Sequence, residues 1–258
     1  MFFVNSSGLV TGGTGAIGGA ICEDLLKSGV KNLAVIDIHK DEPSVINEWK
    51  TLFPKSIIRY FCVDVGSPDD LKKCYEQYTK EIESLDIVAN CAGIFNENNF
   101  KSTIDINLGG VVSSTLLAME YMRKDNGKGK GGVILNISSV AGVNVMSTNP
   151  IYCASKVGVI AFTRGVAHNR DYLGIKFLTL CPAGTQSTLY DGIFDGTKNI
   201  FKGSQEQVDY IRDAYPPQSP VEVSKAALKI MQDATNGSVW LIDLGHLSQI
   251  TDLPKIIL

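Results

Sequence analysis

Tyr152 and Lys156 stand four residues apart, a spacing that brings two side chains to one face of a helix, and Ser139 lies thirteen residues before the tyrosine. A phenol held beside an ammonium is the physical requirement for a tyrosine that works as a base. A free phenol titrates near ~10, so use at neutral pH needs a shift of roughly two to three units, worth about 3–4 kcal/mol. A cation about 5 Å away supplies only ~0.8 kcal/mol in bulk water but ~3.3 kcal/mol at an effective dielectric near 20. Shelter from water is therefore essential. In such a site Tyr152 takes a proton from an alcohol while Ser139 hydrogen-bonds the same oxygen. Taken singly, these are a packed helix tyrosine, a solvated lysine and a turn serine. Their coincidence downstream of a glycine-rich turn favours chemistry.

That turn is Thr11-Gly12-Gly13-Thr14-Gly15-Ala16-Ile17-Gly18, with glycines at the G-x-G-x-x-G positions 13, 15 and 18. Set between a strand and a helix, its backbone N–H groups and the positive helix end can face a pyrophosphate. This places Gly12, Gly13, Gly15, Ala16, Ile17 and Gly18 at a nucleotide. Nineteen residues beyond Gly18, Asp37 closes the next apolar run. There a carboxylate can accept hydrogen bonds from both hydroxyls of an adenosine ribose and repel a 2′-phosphate, which favours NAD over NADP. A capping aspartate in a surface loop is the plainer alternative. Asp64 and Val65 close a third run and stand where an adenine would be bordered.

The elements that must position these residues alternate. Apolar runs at 33–37, 57–64, 87–90, 132–137, 177–181 and 239–242 read as strands, their continuous character predicting burial on both faces. Stretches at 16–28, 43–53, 68–84, 102–124, 150–169 and 220–234 read as helices, so a parallel sheet with right-handed crossovers follows. A first strand at 4–11 must precede the glycine turn, although Asn5, Ser6, Ser7 and Gly8 suit a buried strand poorly. Ser219-Pro220-Val221-Glu222 carries the signature of a capping box with proline in the first turn. Residues 184–218 hold few regular signals but many aromatic residues (Tyr190, Phe194, Phe201, Tyr210, Tyr215), which predicts a substrate lid. With Val140, Val145, Met146 and Ile151 they suggest an apolar pocket.

A chain of 258 residues with 44% apolar and 20% charged residues fits a single domain spanning 1–258. A net charge of −3 without a basic stripe argues against nucleic acid. The first residues show neither a positive leader nor an apolar stretch of spanning length, so a cytoplasmic protein with no membrane partner is expected. Six scattered cysteines without a C-x-x-C pair, and three distant histidines, signal neither a disulfide framework nor a metal site.

Together the glycine turn, Asn90-Cys91-Ala92-Gly93, Asn107, Ser139, Tyr152-x-x-x-Lys156 and the segment from Pro182 resemble the short-chain dehydrogenase/reductase family. Lys31-Asn32-Leu33, Gly93-Ile94-Phe95-Asn96, the run from Tyr121 to Gly127 and Gly237-Ser238-Val239-Trp240 are similar to its insect-type alcohol dehydrogenase branch. The resemblance implies an α/β, Rossmann-type doubly wound fold with seven parallel strands and helices on both faces. It implies a catalytic tetrad of Asn107, Ser139, Tyr152 and Lys156, with Asn107 bending its helix and holding a water that links Lys156 to solvent. It places Asn90, Ala92 and Gly93 at the NAD cofactor and Pro182, Thr185 and Thr188 beside its nicotinamide, with Lys156 on the ribose. A homodimer through helices 102–124 and 150–169 is expected, with a tetramer as the larger alternative. Ala16, Cys91 and Ala183 depart from the common pattern.

The expected activity is an NAD-dependent interconversion of an apolar alcohol, such as a small secondary alcohol, an isoprenoid or a retinoid, with its aldehyde or ketone. Its rivals are a cofactor-binding protein with a regulatory role and little turnover, and a storage protein that keeps only the fold.

Overall fold

The computed structural model describes residues 3–168, 170–194, 196, 198, 199, 203 and 205–256. Its strands are β1 (Ser7–Thr11), β2 (Asn32–Asp37), β3 (Ile57–Cys62), β4 (Ile87–Asn90), β5 (Gly132–Ile137), β6 (Ile175–Pro182), β7 (Val239–Asp243) and β8 (His246–Ile250). The helices are α1 (Ala16–Lys27), α2 (Ser44–Leu52), α3 (Pro68–Thr79), α4 (Phe100–Ile104), α5 (Val111–Met122), α6 (Pro150–Ala167), α7 (Thr188–Phe194), α8 (Gln205–Ala214) and α9 (Pro220–Asp233).

All strands join one sheet in the order β3-β2-β1-β4-β5-β6-β7-β8, parallel except for the last pair. The direction of winding reverses between β1 and β4, and a crevice opens at such a switch point beyond the carboxyl ends of the strands. Successive residues alternate between two cores, as strand geometry requires. Val10, Leu33, Val35 and Ala89 pack under α1, α2 and α9, whereas Leu9, Ala34, Ile36 and Val88 pack under α3, α5 and α6. Burying each large aliphatic side chain contributes roughly 1.5–3 kcal/mol, so both faces fix the sheet that carries the crevice. The capping box at α9 is present, with Ser219 and Glu222 each bonding the other's backbone.

Several expectations are corrected. The sheet has eight strands rather than seven, because Leu244 and Gly245, both with positive φ (44° and 77°), turn the chain into the antiparallel β8. That strand, His-Leu-Ser-Gln-Ile, is too polar to read as buried. β3 is an edge strand and is buried on neither face throughout. β1 starts at Ser7 and not at residue 4, since Asn5 adopts a φ of 63° that no strand tolerates. The stretch 102–124 is not one helix: a π-helical turn, Asp105–Gly110, separates α4 from α5. Among the described residues the segment 184–218, expected to form a lid, holds α7 and α8, while Phe201 and Asn169 lie outside the described residues. Among the described residues no helix is long and apolar enough to cross a membrane, and no group of three ligating side chains could hold a metal ion.

Candidate active site

Beyond the ends of β1, β2 and β4 lies a cleft of about 250 Å³. Gly12, Gly15, Ala16, Ile17, Gly18, Asp37, Asp64, Val65, Ala92, Gly93 and Thr188 all line it. The glycines are required by the backbone. Gly12 has a φ of +61°, and a Cβ there would stand 2.7 Å from the Ala92 Cα; a Cβ on Gly18 would stand 2.1 Å from the Gly12 carbonyl oxygen. The turn therefore folds against both the end of β4 and its own helix. Thr11 secures the first contact, its Oγ1 accepting from the backbone N–H groups of Cys91 and Ala92 at 3.2 and 3.3 Å. α1 is preceded by Gly15, with no side chain capping it and no acidic residue in its first turn. An uncapped, glycine-flanked helix start opening on a cleft fits the diphosphate of a dinucleotide.

Two predicted contacts are placed elsewhere. Gly13 faces the core, where a Cβ would stand 2.7 Å from Val35 Cγ1. The Asn90 side chain points down into the sheet, donating to Asn136 Oδ1 at 2.8 Å and accepting from Ser114 Oγ at 2.6 Å. A residue on a parallel strand faces one side only, and Asn90 is turned toward α5. Asp37 is on the cleft and carries bonds not foreseen: its Oδ2 accepts from Thr14 N at 2.9 Å and Thr14 Oγ1 at 2.6 Å, and its Oδ1 from Ile38 N at 2.8 Å. Asp64 accepts from Gly66 N at 2.8 Å and so shapes its own turn as well.

A second cleft of about 120 Å³ adjoins the first, and the two share Ile17, Cys91, Gly93, Ser187 and Leu189. Ser139, Tyr152, Lys156, Pro182 and Thr185 line it. Ser139 leaves β5 and accepts from Ala141 N at 3.1 Å, which sets a short turn above α6. Tyr152 and Lys156 sit one turn apart on α6, with the ammonium 5.7 Å from the phenol ring centroid. Lys156 Nζ also donates to the Ile137 carbonyl at 3.2 Å. Gly93 brings the loop after β4 so close that a Cβ would meet Asn107 Oδ1 at 3.3 Å and Lys156 Nζ at 3.5 Å.

Asn107 is 0% exposed, which excludes an exposed helical asparagine. It occupies the π-helical turn that lies between α4 and α5. Its Oδ1 accepts from Ile94 N at 2.8 Å, and its Nδ2 donates to Ile94 O at 2.9 Å and Ser155 Oγ at 3.2 Å. Its amide thus pins the loop after β4 against α6.

The electrostatics differ from the simplest expectation. Burial pushes the Tyr152 phenol up to about 12, opposed by the neighbouring Ser139 hydroxyl, and burial brings the Lys156 ammonium down to about 8. Desolvation penalises whichever form carries charge. The same shelter that strengthens the attraction between the pair also holds the phenol neutral.

Glu97, overlooked in the sequence, is fully buried beneath the tyrosine. Asn149 begins α6 without capping it, and Glu97 caps the helix from a distance: its carboxylate accepts from Ile151 N at 3.1 Å and Tyr152 N at 2.7 Å. A carboxylate at a helix N-terminus is favoured by the helix dipole and by the unpaired amides there. With Glu97 and Ile151 separated by 54 positions in the chain, no local pattern could reveal the contact.

Above the second cleft the segment 184–218 closes on itself at its base. Gln218 N donates to Gly184 O and Gln186 N to Gln218 O, at 2.9 and 3.0 Å. Tyr190, Ile211 and Tyr215 line the cleft with Val140 and Met146, whereas Val145 and Tyr210 are exposed and Ile151 does not reach it.

A family model for short chain dehydrogenases matches residues 8–198. The chain is 33% identical over 241 residues to Alcohol dehydrogenase 1 of Ceratitis cosyra, covering 93% of this chain and 92% of that protein. Among solved structures, levodione reductase aligns with a TM-score of 0.80 at 21% identity, covering 94% of this chain and 98% of that one. A short-chain type dehydrogenase/reductase from Mycobacterium ulcerans aligns at 0.79 and 21%, over 95% of this chain and 90% of that one. ElxO, solved with NADP bound, aligns at 0.78 and 22%, over 94% and 98%. These three likenesses concern the fold.

Proposed function

Because the chain belongs to the short-chain dehydrogenase/reductase family and, within it, to the insect alcohol dehydrogenase branch, we propose that it interconverts an apolar alcohol and its aldehyde or ketone with NAD. The family is one of nicotinamide-dependent oxidoreductases; the alcohol, the choice of NAD and the roles of the residues are the proposal. The observation that carries it is the junction of the two clefts. The Tyr152–Lys156 pair and Ser139 open on one, the glycine turn and Asp37 on the other, and five residues are common to both.

With its adenosine and diphosphate in the first cleft and its nicotinamide end reaching into the second beside Pro182 and Thr185, oxidised NAD would supply the hydride acceptor and a positive ring. Tyr152 Oη takes the alcohol proton, and Ser139 hydrogen-bonds the oxygen as it becomes a carbonyl. Lys156, brought down to about 8, is still roughly nine-tenths charged at pH 7. Its charge stabilises the phenolate that burial alone disfavours. In the resting pair a neutral phenol stands beside a charged lysine, which is the state required to donate a proton to a carbonyl oxygen. Val140, Met146, Leu189, Tyr190, Ile211 and Tyr215 give the second cleft an apolar lining suited to an apolar substrate.

A panel of alcohols with NAD should yield reduced nicotinamide, and Tyr152→Phe should lower turnover by a factor on the order of a hundred to ten thousand. Unchanged turnover in that variant overturns the assignment. The six free cysteines suit the reducing cytoplasm. We expect pairing of two subunits through α5 and α6, whose Leu116 and Val157 are exposed apolar residues. Light scattering giving the mass of a single chain would contradict it.

A further inference from the structure

A carboxylate offers about four acceptor positions, and three of those on Asp37 are already taken. Oδ2 is filled by both donors of Thr14, the N–H at 2.9 Å and the hydroxyl at 2.6 Å, while Oδ1 accepts from Ile38 N at 2.8 Å. One position remains, on Oδ1. The expectation that Asp37 receives both ribose hydroxyls therefore does not fit the bonds present; one hydroxyl fits without displacing Thr14. Asp37 is half-buried at the end of β2, and without these bonds its short side chain would be free to rotate toward solvent. Two donors on one oxygen hold it in a single orientation. The described residues lining the cleft include Asp37 and Asp64 but no lysine or arginine that could neutralise an added phosphate.

We propose that Thr14 is a specificity-determining residue, which fixes Asp37 so that the site presents one immobile anionic acceptor to an adenosine ribose and thereby takes a 2′-hydroxyl and rejects a 2′-phosphate. The inference rests on the NAD reading above and deepens it. Thr14 acts through Asp37 and is a positioning residue. In an unrestrained site Asp37 could swing away from a 2′-phosphate and lessen the repulsion; in the clamped one it cannot.

The test is fluorescence titration of the purified protein with NADH and with NADPH, for wild type, Thr14→Val, Thr14→Ser, Asp37→Ala and the double variant Thr14→Val/Asp37→Ala. Thr14→Val keeps the volume and the amide donor and loses only the hydroxyl. It should cut the preference for NADH over NADPH about tenfold, the scale of one hydrogen bond to a charged group. Thr14→Ser, which retains the hydroxyl, should keep the wild-type preference. Asp37→Ala should lose the preference, and adding Thr14→Val to it should change nothing further, as a cycle between coupled residues requires. A thermal melt checks that each variant is folded, and Thr14→Ala replaces Thr14→Val if the latter is not. Wild-type preference retained in the variant without the hydroxyl, or an effect of Thr14 that persists without Asp37, overturns this inference alone. A wild-type protein that binds both nucleotides equally overturns the NAD reading and this inference with it.

Discussion

The two adjoining clefts are made of different material. The nucleotide cleft is built largely from backbone: glycines at 12, 15 and 18, an uncapped helix start, and the ends of three parallel strands locked in register. The catalytic cleft is built from side chains, roofed by α7 and α8 and closed at its base by the Gly184–Gln218 clasp. Backbone geometry tolerates almost no substitution, because an added Cβ strikes atoms that cannot move. Side-chain geometry can be altered in steps, and each step shifts affinity or protonation without undoing the fold. The first cleft is thus suited to holding an invariant ligand part, the second to being adjusted to a substrate.

Gly12→Ala tests the first half of that comparison and should have the largest effect. The new Cβ would lie 2.7 and 2.8 Å from the Ala92 backbone, on a residue whose φ is +61°. Left-handed strain and overpacking each cost about 1–3 kcal/mol. Urea unfolding should therefore show a loss of about 2–6 kcal/mol, and NADH titration should show no saturable binding. A variant that unfolds and binds like wild type would mean that the turn can shift away from β4, and that the cleft is not rigid.

Lys156→Met tests the shelter around the catalytic pair. The lysine titrates near 8 in the folded protein against a reference of 10.5. Between those values the unfolded chain holds the proton and the folded one does not, so this group makes stability rise with pH across that window, by about 3 kcal/mol at most. Tyr152, raised to about 12 from 10, acts oppositely and only above pH 10: stability falls there as the unfolded phenol loses its proton first. Unfolding free energies of wild type and variant, compared at pH 7 and pH 10, should show the wild type gaining relative to the variant at the higher pH. A difference that does not change with pH would mean that water reaches Lys156.

The same division governs how much could be read before any coordinates. Gly12, Gly15 and Gly18 announce themselves because the backbone conformation they permit is a property of residue type, and Tyr152 and Lys156 because helix periodicity turns spacing into proximity. The doubly wound sheet follows from alternating apolar runs. The rest depends on contacts between distant segments. Glu97 reaches the α6 amides across more than fifty residues. Thr14 meets Asp37 because β1 and β2 pair with Thr11 opposite Ile36, a register that no motif states. Asn90 turns inward because the strand's pleat, not its motif, decides which way it faces. α8 is a ten-residue, mostly polar helix that buries none of its residues fully, so its apolar stripe is short and a weak signal. The direction of the Tyr152 shift escaped for a related reason: the charge beside the phenol is visible in a sequence, and the depth of burial is not.

Tyr190→Phe should have the smallest effect and bears most directly on the separateness of the two clefts. The Tyr190 hydroxyl donates to the Tyr215 carbonyl at 2.9 Å, tying α7 to the end of the lid, while its ring lines the catalytic cleft. Phenylalanine keeps the ring and releases the tie. The bond is half-buried and neutral, so its net worth is about 0.5–1.5 kcal/mol, and the KM for alcohol should rise roughly two- to tenfold on that scale. The affinity for NADH should stay within about twofold, because no backbone element of the nucleotide cleft leans on that hydroxyl. Ser187, Thr188 and Leu189 make this a demanding test, since they lead into and begin α7 and also line the nucleotide cleft. Should NADH affinity fall in step with the rise in KM, the lid would have to be counted as part of both sites, and the contrast between a fixed cleft and an adjustable one would be wrong at the place where they meet.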